Sequence, residues 1–82
     1  MSFVYILLLN NQELYVGFTA DLNRRLEEHQ LGRSGYTSKY LPVKLLFYEA
    51  FTSEVDARRR EKYLKTSKGK STIRMMLRTT LQ

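Results

Sequence analysis

The feature that most constrains this chain is an apolar run near its start, Phe3-Val-Tyr-Ile-Leu-Leu-Leu9. It is rich in β-branched and aromatic residues and far short of the roughly 20 apolar residues a membrane-spanning helix needs. It therefore reads as a largely buried strand. No basic stretch precedes it and no small-residue cleavage site follows, so it does not read as a signal peptide. Asn10-Asn11-Gln12 reads as a turn, because asparagine tolerates positive φ. Glu13-Leu-Tyr-Val-Gly17 then returns as a second strand, and the two form a hairpin.

A helix is expected next. Thr19 is placed to cap it, Asp21 in its first turn suits the helix dipole, and Leu22, Leu26 and His29 share one face. Gly32 ends it. Arg33–Tyr40 is a polar loop or short helix, broken by Pro42, and Val43–Phe51 is a third strand. Ser53 with Asp56 resembles a capping box for a helix running to about Lys65. Ser67-Lys-Gly69 is read as closing that helix. Ser71 is read as capping a last one that carries Ile73, Met76, Leu77 and Leu81. The order β-β-α-β-α-α predicts an α+β fold, a small three-stranded antiparallel sheet flanked by helices. The 82 residues suffice for one domain spanning 1–82, with no repeat and no linker.

Charge narrows the function. Residues 1–57 hold five Lys or Arg against seven acids; residues 58–82 hold nine against one, Glu61. A basic C-terminal third is the footprint expected for a polyanion partner. There is no cysteine, so disulfides, thiolate metal sites and a cysteine nucleophile are excluded. A chain without cysteine fits a cytoplasmic protein. One histidine and no acidic cluster rule out a multi-ligand metal cage. Gly69-Lys70-Ser71 imitates the end of a phosphate-binding P-loop, but position 64 is Leu where that motif needs Gly. No Ser-His-Asp set suggests itself.

Five residues remain as candidates: Tyr5, Tyr15, Arg25, His29 and Glu61. Each has an ordinary explanation. The tyrosines could be hairpin packing. Arg25 could pair with Asp21 one turn back, Glu61 could pair with Lys65 one turn on, and His29 could simply end a helix.

Val4-Tyr5-Ile6 and Tyr15-Val16-Gly17 look like degenerate forms of the two tripeptides that name the GIY-YIG nuclease superfamily. Asp21-Leu-Asn-Arg-Arg-Leu-Glu-Glu-His29 resembles the helix carrying that family's arginine. Arg60-Glu61-Lys62 with Tyr63-Leu64-Lys65 resembles the helix carrying its metal-binding glutamate. The resemblance covers nearly the whole chain in the right order and is greatest to short, stand-alone bacterial members. It implies a Mg²⁺- or Mn²⁺-dependent endonuclease. Glu61 would hold the metal, for which one carboxylate suffices because Mg²⁺ keeps most of its waters. Arg25 would bind the scissile phosphate. Tyr5 and Tyr15 would position or deprotonate the attacking water, and His29 would accept a proton or orient a tyrosine. The family pattern often includes a late asparagine, whereas none occurs here after Asn23. Either this branch dispenses with it or Ser67 or Ser71 takes its place.

The expected partner is nucleic acid, DNA before RNA, with no membrane. Single-stranded or structured DNA suits so small a surface. Lys39, Arg58, Lys62, Lys65, Lys68 and Lys70 are the expected phosphate contacts, and Tyr36 and Tyr40 are candidates for base stacking. Two other readings compete: a nucleic-acid-binding module without turnover, and a recruitment domain within a DNA repair complex. If the site is shared, Tyr5 and Tyr15 lie on one sheet face near Arg25, directly paired if the hairpin loop centres on Asn10.

Overall fold

The hairpin forms, with its centre at Asn11. In the computed structural model, which describes residues 1–82, strand β1 (Ser2–Leu8) turns into β2 (Leu14–Thr19) through a short loop. The Leu9 amide donates to the Glu13 carbonyl and the Gln12 amide to the Leu9 carbonyl, both at 2.9 Å. The positive φ, 70°, falls on Gln12 and not on either asparagine. A loop closed by one left-handed residue is a common hairpin solution. The centre at Asn10 that direct pairing requires is not the one formed, so Tyr5 does not pair with Tyr15. Tyr5 faces Gly17, and Leu7 faces Tyr15. Because the loop is still odd-membered, both tyrosines point to the same face, as diagonal neighbours.

The third strand, β3 (Lys44–Phe51), pairs antiparallel with the other side of β1, giving the order β2-β1-β3 and a register shift between Ile6 and Leu7. This placement explains the unbroken apolar run. A central strand covered on both faces has no solvent side to make polar, and Val4, Tyr5, Ile6 and Leu7 are all buried. Tyr5, Leu7 and Leu9 pack under Leu22, Leu26 and Tyr40. On the opposite face Val4, Ile6 and Val16 pack against Ala57, Leu64, Ile73 and Leu77. The expected α+β class and three-stranded antiparallel sheet are therefore the observed ones.

Helix α1 spans Leu22–Gln30. Its cap is Asp21, whose side chain accepts from the Arg24 amide at 3.1 Å; Thr19 instead closes a small turn onto Asp21. Gly32, at φ 73°, ends α1 as expected. Its amide reaches the His29 carbonyl and that of Arg33 reaches Glu28, the paired bonds of a Schellman cap. A 3-10 turn follows at Thr37–Tyr40. Helix α2 spans Glu54–Leu64 and is capped by Ser53 through the Asp56 amide, as the capping pattern predicts.

Helix α3 spans Ser67–Met76 and begins earlier than Ser71. Thr66 is its cap: the hydroxyl donates to the Tyr63 carbonyl at 2.6 Å and accepts from the Gly69 amide at 3.0 Å. Gly69 is thus inside the first turn. A Cβ there would collide with the Tyr63 carbonyl and the Leu64 backbone, so glycine is required by close approach of α3 to the end of α2. No helix is long and apolar enough to cross a membrane.

Candidate active site

The site begins with the pairing of Tyr5 and Gly17. The Tyr5 ring lies across β2 above Gly17, and a Cβ on residue 17 would collide with the phenol carbon and its hydroxyl. Glycine in the second tripeptide is therefore the groove in which the tyrosine of the first one rests. Tyr15 sits diagonally beside it, with ring centroids 6.4 Å apart. His29, from α1, meets both rings edge-on at 5.6 and 5.5 Å.

Tyr5 and His29 are fully buried and hydrogen-bonded, Tyr5 Oη to His29 Nε2 at 2.7 Å. On the far side of the imidazole, Nδ1 lies 2.7 Å from Thr37 Oγ1. The Thr37 hydroxyl donates to the Ser34 carbonyl at 3.4 Å. When the one Thr37 proton is used there, Thr37 accepts from the histidine, Nδ1 carries the hydrogen and Nε2 presents a lone pair to the Tyr5 hydroxyl. Burial and the Arg25 charge push the His29 pKa down to about 4, against a smaller upward pull from Glu28, so the ring is neutral at neutral pH. Burial pushes the Tyr5 pKa up to about 12. Arg25 opposes that rise, while Tyr15 and Glu61 add to it. Tyr5 is thus a neutral donor.

Arg25 does not pair with Asp21. Its guanidinium donates to Glu28 Oε1 at 3.0 Å and to Ser34 Oγ at 2.9 Å. Burial works against its charge, but Glu28, Tyr5 and Tyr15 outweigh that and leave its pKa raised. Two of its five donors are occupied within α1 and the following loop, and Tyr5 also draws on the guanidinium, so only part of the fork is left for a ligand. Tyr15 is only half-buried, and its hydroxyl has no protein partner.

Glu61 comes from α2 and lies close enough to raise the Tyr5 pKa. Its Oε2 accepts from Lys65 at 2.9 Å, the pairing expected one turn on, and its Oε1 takes no protein hydrogen bond. No group of three or more His, Cys, Asp or Glu exists anywhere to cage an ion. A single, partly exposed carboxylate with a free oxygen fits a hydrated Mg²⁺, which takes few protein ligands, and does not fit a structural zinc.

The basic residues divide. Arg58 is paired with Glu54 at 3.0 Å and lies over the Phe18 ring at 4.1 Å. Arg59 is paired with Asp56, and Arg60 with Glu49. Lys39, Lys62, Lys68 and Lys70 are exposed without an acidic partner. Tyr36 is bonded to Glu13 at 3.0 Å, and its ring lies 5.2 Å from that of Tyr40, so these two pack on each other. Ser34 and Thr37 are the polar residues of the site that the sequence does not single out. Both are buried in a loop, and only the fold shows that the loop returns over α1.

Comparison with known proteins gives a consistent result. The model of the GIY-YIG catalytic domain matches residues 1–74. A UPF0213 protein of Streptococcus agalactiae serotype V is 43% identical over 65 residues, covering 78% of this chain and 74% of that one. A UPF0213 protein of Streptococcus pyogenes serotype M5 is 39% identical over 71 residues, covering 85% and 77%. The solution NMR structure of a UPF0213 protein from Bacillus halodurans superimposes with a TM-score of 0.60 at 31% identity, covering 93% of this chain and 85% of that one.

Proposed function

This chain belongs to the GIY-YIG catalytic domain family, and on that premise we propose that it is a metal-dependent endonuclease that hydrolyses phosphodiester bonds in DNA. The nuclease-type fold and a nucleic-acid substrate come with the family. The metal, the preference for DNA and the individual roles are our reading. The observation that supports it best is the half-buried, unpartnered Tyr15 beside the buried Tyr5–His29 pair, with ring centroids 6.4 and 5.5 Å away, while Arg25 is held on the same helix as His29.

The reaction joins a water oxygen to phosphorus and breaks the bond to one bridging oxygen. Tyr15 is the group placed to hold the attacking water, because its hydroxyl is partly exposed and unpartnered. Arg25 stabilises charge on the phosphate oxygens with its remaining donors, its orientation fixed by Glu28 and Ser34. Glu61 would hold the Mg²⁺ or Mn²⁺, which when bound supplies charge stabilisation at the leaving oxygen. Tyr5 and His29 are buried and touch no substrate. They act as positioning residues that hold the Tyr15 and Arg25 side of the site in place.

A module that binds DNA without cutting it is the competing reading, and the Glu61–Lys65 pair favours it, since Lys65 occupies one oxygen of the proposed metal ligand. The deciding experiment is a cleavage panel of single-stranded, duplex, flapped and branched DNA, plus RNA, with Mg²⁺, Mn²⁺ or chelator. Metal-dependent cutting of at least one DNA is expected. Binding in every arm with cutting in none would leave the binding module.

A further inference from the structure

An open cleft of about 430 Å³ lies between the free edge of β2 and the α2–α3 pair. Its volume is in the range of sites that hold small molecules, ~300–1,000 Å³. Its floor is apolar: the half-buried Leu14 and Tyr15 line it, and Leu14 packs on the buried cluster of Val16, Leu64 and Ile73. Its rim carries three cations, Lys65, Lys70 and Arg74, all exposed. Lys70 and Arg74 have no acidic partner. The acid that also lines the cleft, Glu13, is engaged by the Asn11 amide at 2.6 Å and the Tyr36 hydroxyl at 3.0 Å.

The cleft is continuous with the site described above. Tyr15 forms part of its floor, and the Lys65 ammonium on its rim lies 2.9 Å from Glu61. An apolar floor under a ring of cations does not suit a bare inorganic anion, which gains nothing from the floor. It suits a ligand with a flat, weakly polar body and an anionic edge. We propose that the cleft is a subsite for one unstacked nucleotide of the substrate chain, adjoining the phosphate that is cut. Its base or sugar lies on Leu14 and Tyr15, and its phosphate lies among Lys65, Lys70 and Arg74.

The subsite rests on the nuclease reading and sharpens its substrate. In a duplex the bases stay stacked and turned inward, so a paired strand reaches only the rim. A strand unpaired beside the cut reaches both rim and floor. The productive substrate is therefore unpaired on one side of the cut, and Arg74 joins the residues that grip it.

The test is made in chelator, so it reads binding whether or not the protein cuts. Methyl resonances of Leu14 and Val16 are followed by NMR with a 5′-phosphorylated thymidine pentanucleotide, with inorganic phosphate, and with a blunt, fully paired duplex. Salt titrations of pentanucleotide binding compare the parent with Lys70→Gln/Arg74→Gln, whose exposed sites leave the core untouched. The methyls should shift with the pentanucleotide and not with phosphate or duplex. The double variant should lower the slope of log affinity against log salt by up to about 0.7, the value for the one single-strand phosphate held in the cleft. Silent methyls, equal shifts with inorganic phosphate, equal shifts with the duplex, or an unchanged slope would each overturn the subsite. The metal-dependent cleavage panel remains a separate reading of the nuclease assignment.

Discussion

On the α1 side of the site every buried polar atom has a partner. Tyr5, His29, Thr37 and the Ser34 carbonyl form one unbroken chain, and Arg25 is held by Glu28 and the Ser34 hydroxyl. On the α2–α3 side most of the polar groups are exposed, with Glu61 partly so. Glu61 meets a long, solvated lysine, and Lys62, Lys68, Lys70 and Arg74 have no acidic partner. One site is thus served by a buried half and an exposed half. Buried networks are costly to leave half-satisfied, whereas exposed ion pairs contribute little. Stability and geometry should reside in the first half, and metal and substrate binding in the second.

The largest effect on stability should come from His29→Ala. It empties a fully buried site, takes the imidazole partner from the Tyr5 hydroxyl and removes one of the two partners of the Thr37 hydroxyl. A loss of about 3–5 kcal/mol is expected, a large fraction of the ~5–10 kcal/mol that holds a domain of this size. Denaturant unfolding measures it, and a loss below about 1 kcal/mol would break the division between the halves.

Next in size is an acid limb. The His29 pKa is about 4 in the folded protein and about 6.5 when unfolded. Between those values the unfolded chain binds a proton that the native one refuses. Stability is therefore complete above pH 6.5 and falls as pH drops towards 4, by on the order of 3 kcal/mol. The slope over this window should vanish in His29→Ala, and unfolding curves at several pH values show whether it does.

Thr37→Val should cost about 1–3 kcal/mol, because it preserves shape while leaving the His29 Nδ1–H buried without an acceptor. Thr37→Ser should recover most of it. Nitrogen-15 shifts of the imidazole report the tautomer. The parent should show Nδ1 protonated, and a protonated Nε2 would reverse the hydrogen-bond direction assigned to Tyr5.

The same division decides what is legible in the sequence. Periodicity and capping chemistry locate three strands and three helices, and the tripeptides with their two helices single out the five site candidates. Two errors share a cause. Local propensity alone assigns the positive φ of the Asn10-Asn11-Gln12 turn to asparagine and ends a helix at Ser67-Lys-Gly69, whereas Gln12 takes the left-handed position and Gly69 answers to the backbone of Tyr63 and Leu64. The buried half is the less visible. Ser34 and Thr37 are ordinary loop residues until α1 brings Arg25 and His29 beside them, and hydrogen bonds spanning eight or nine residues of a loop leave no periodic trace. The exposed half announces itself through charge, although charge alone does not separate Arg58, engaged with Glu54 and Phe18, from the unpartnered Lys70.

If the exposed half carries the metal without carrying the fold, Glu61→Gln is the variant that separates the two most directly. Its cleavage rate on the best DNA of the panel, with Mg²⁺, and its thermal midpoint should be measured on one preparation. Within the protein the substitution breaks only the ion pair with Lys65, worth under about 1 kcal/mol at a surface. The midpoint should therefore move by less than roughly 8 °C, while cleavage falls by about 100-fold or more. A variant that melts with the parent and cuts at the parent's rate would contradict the account.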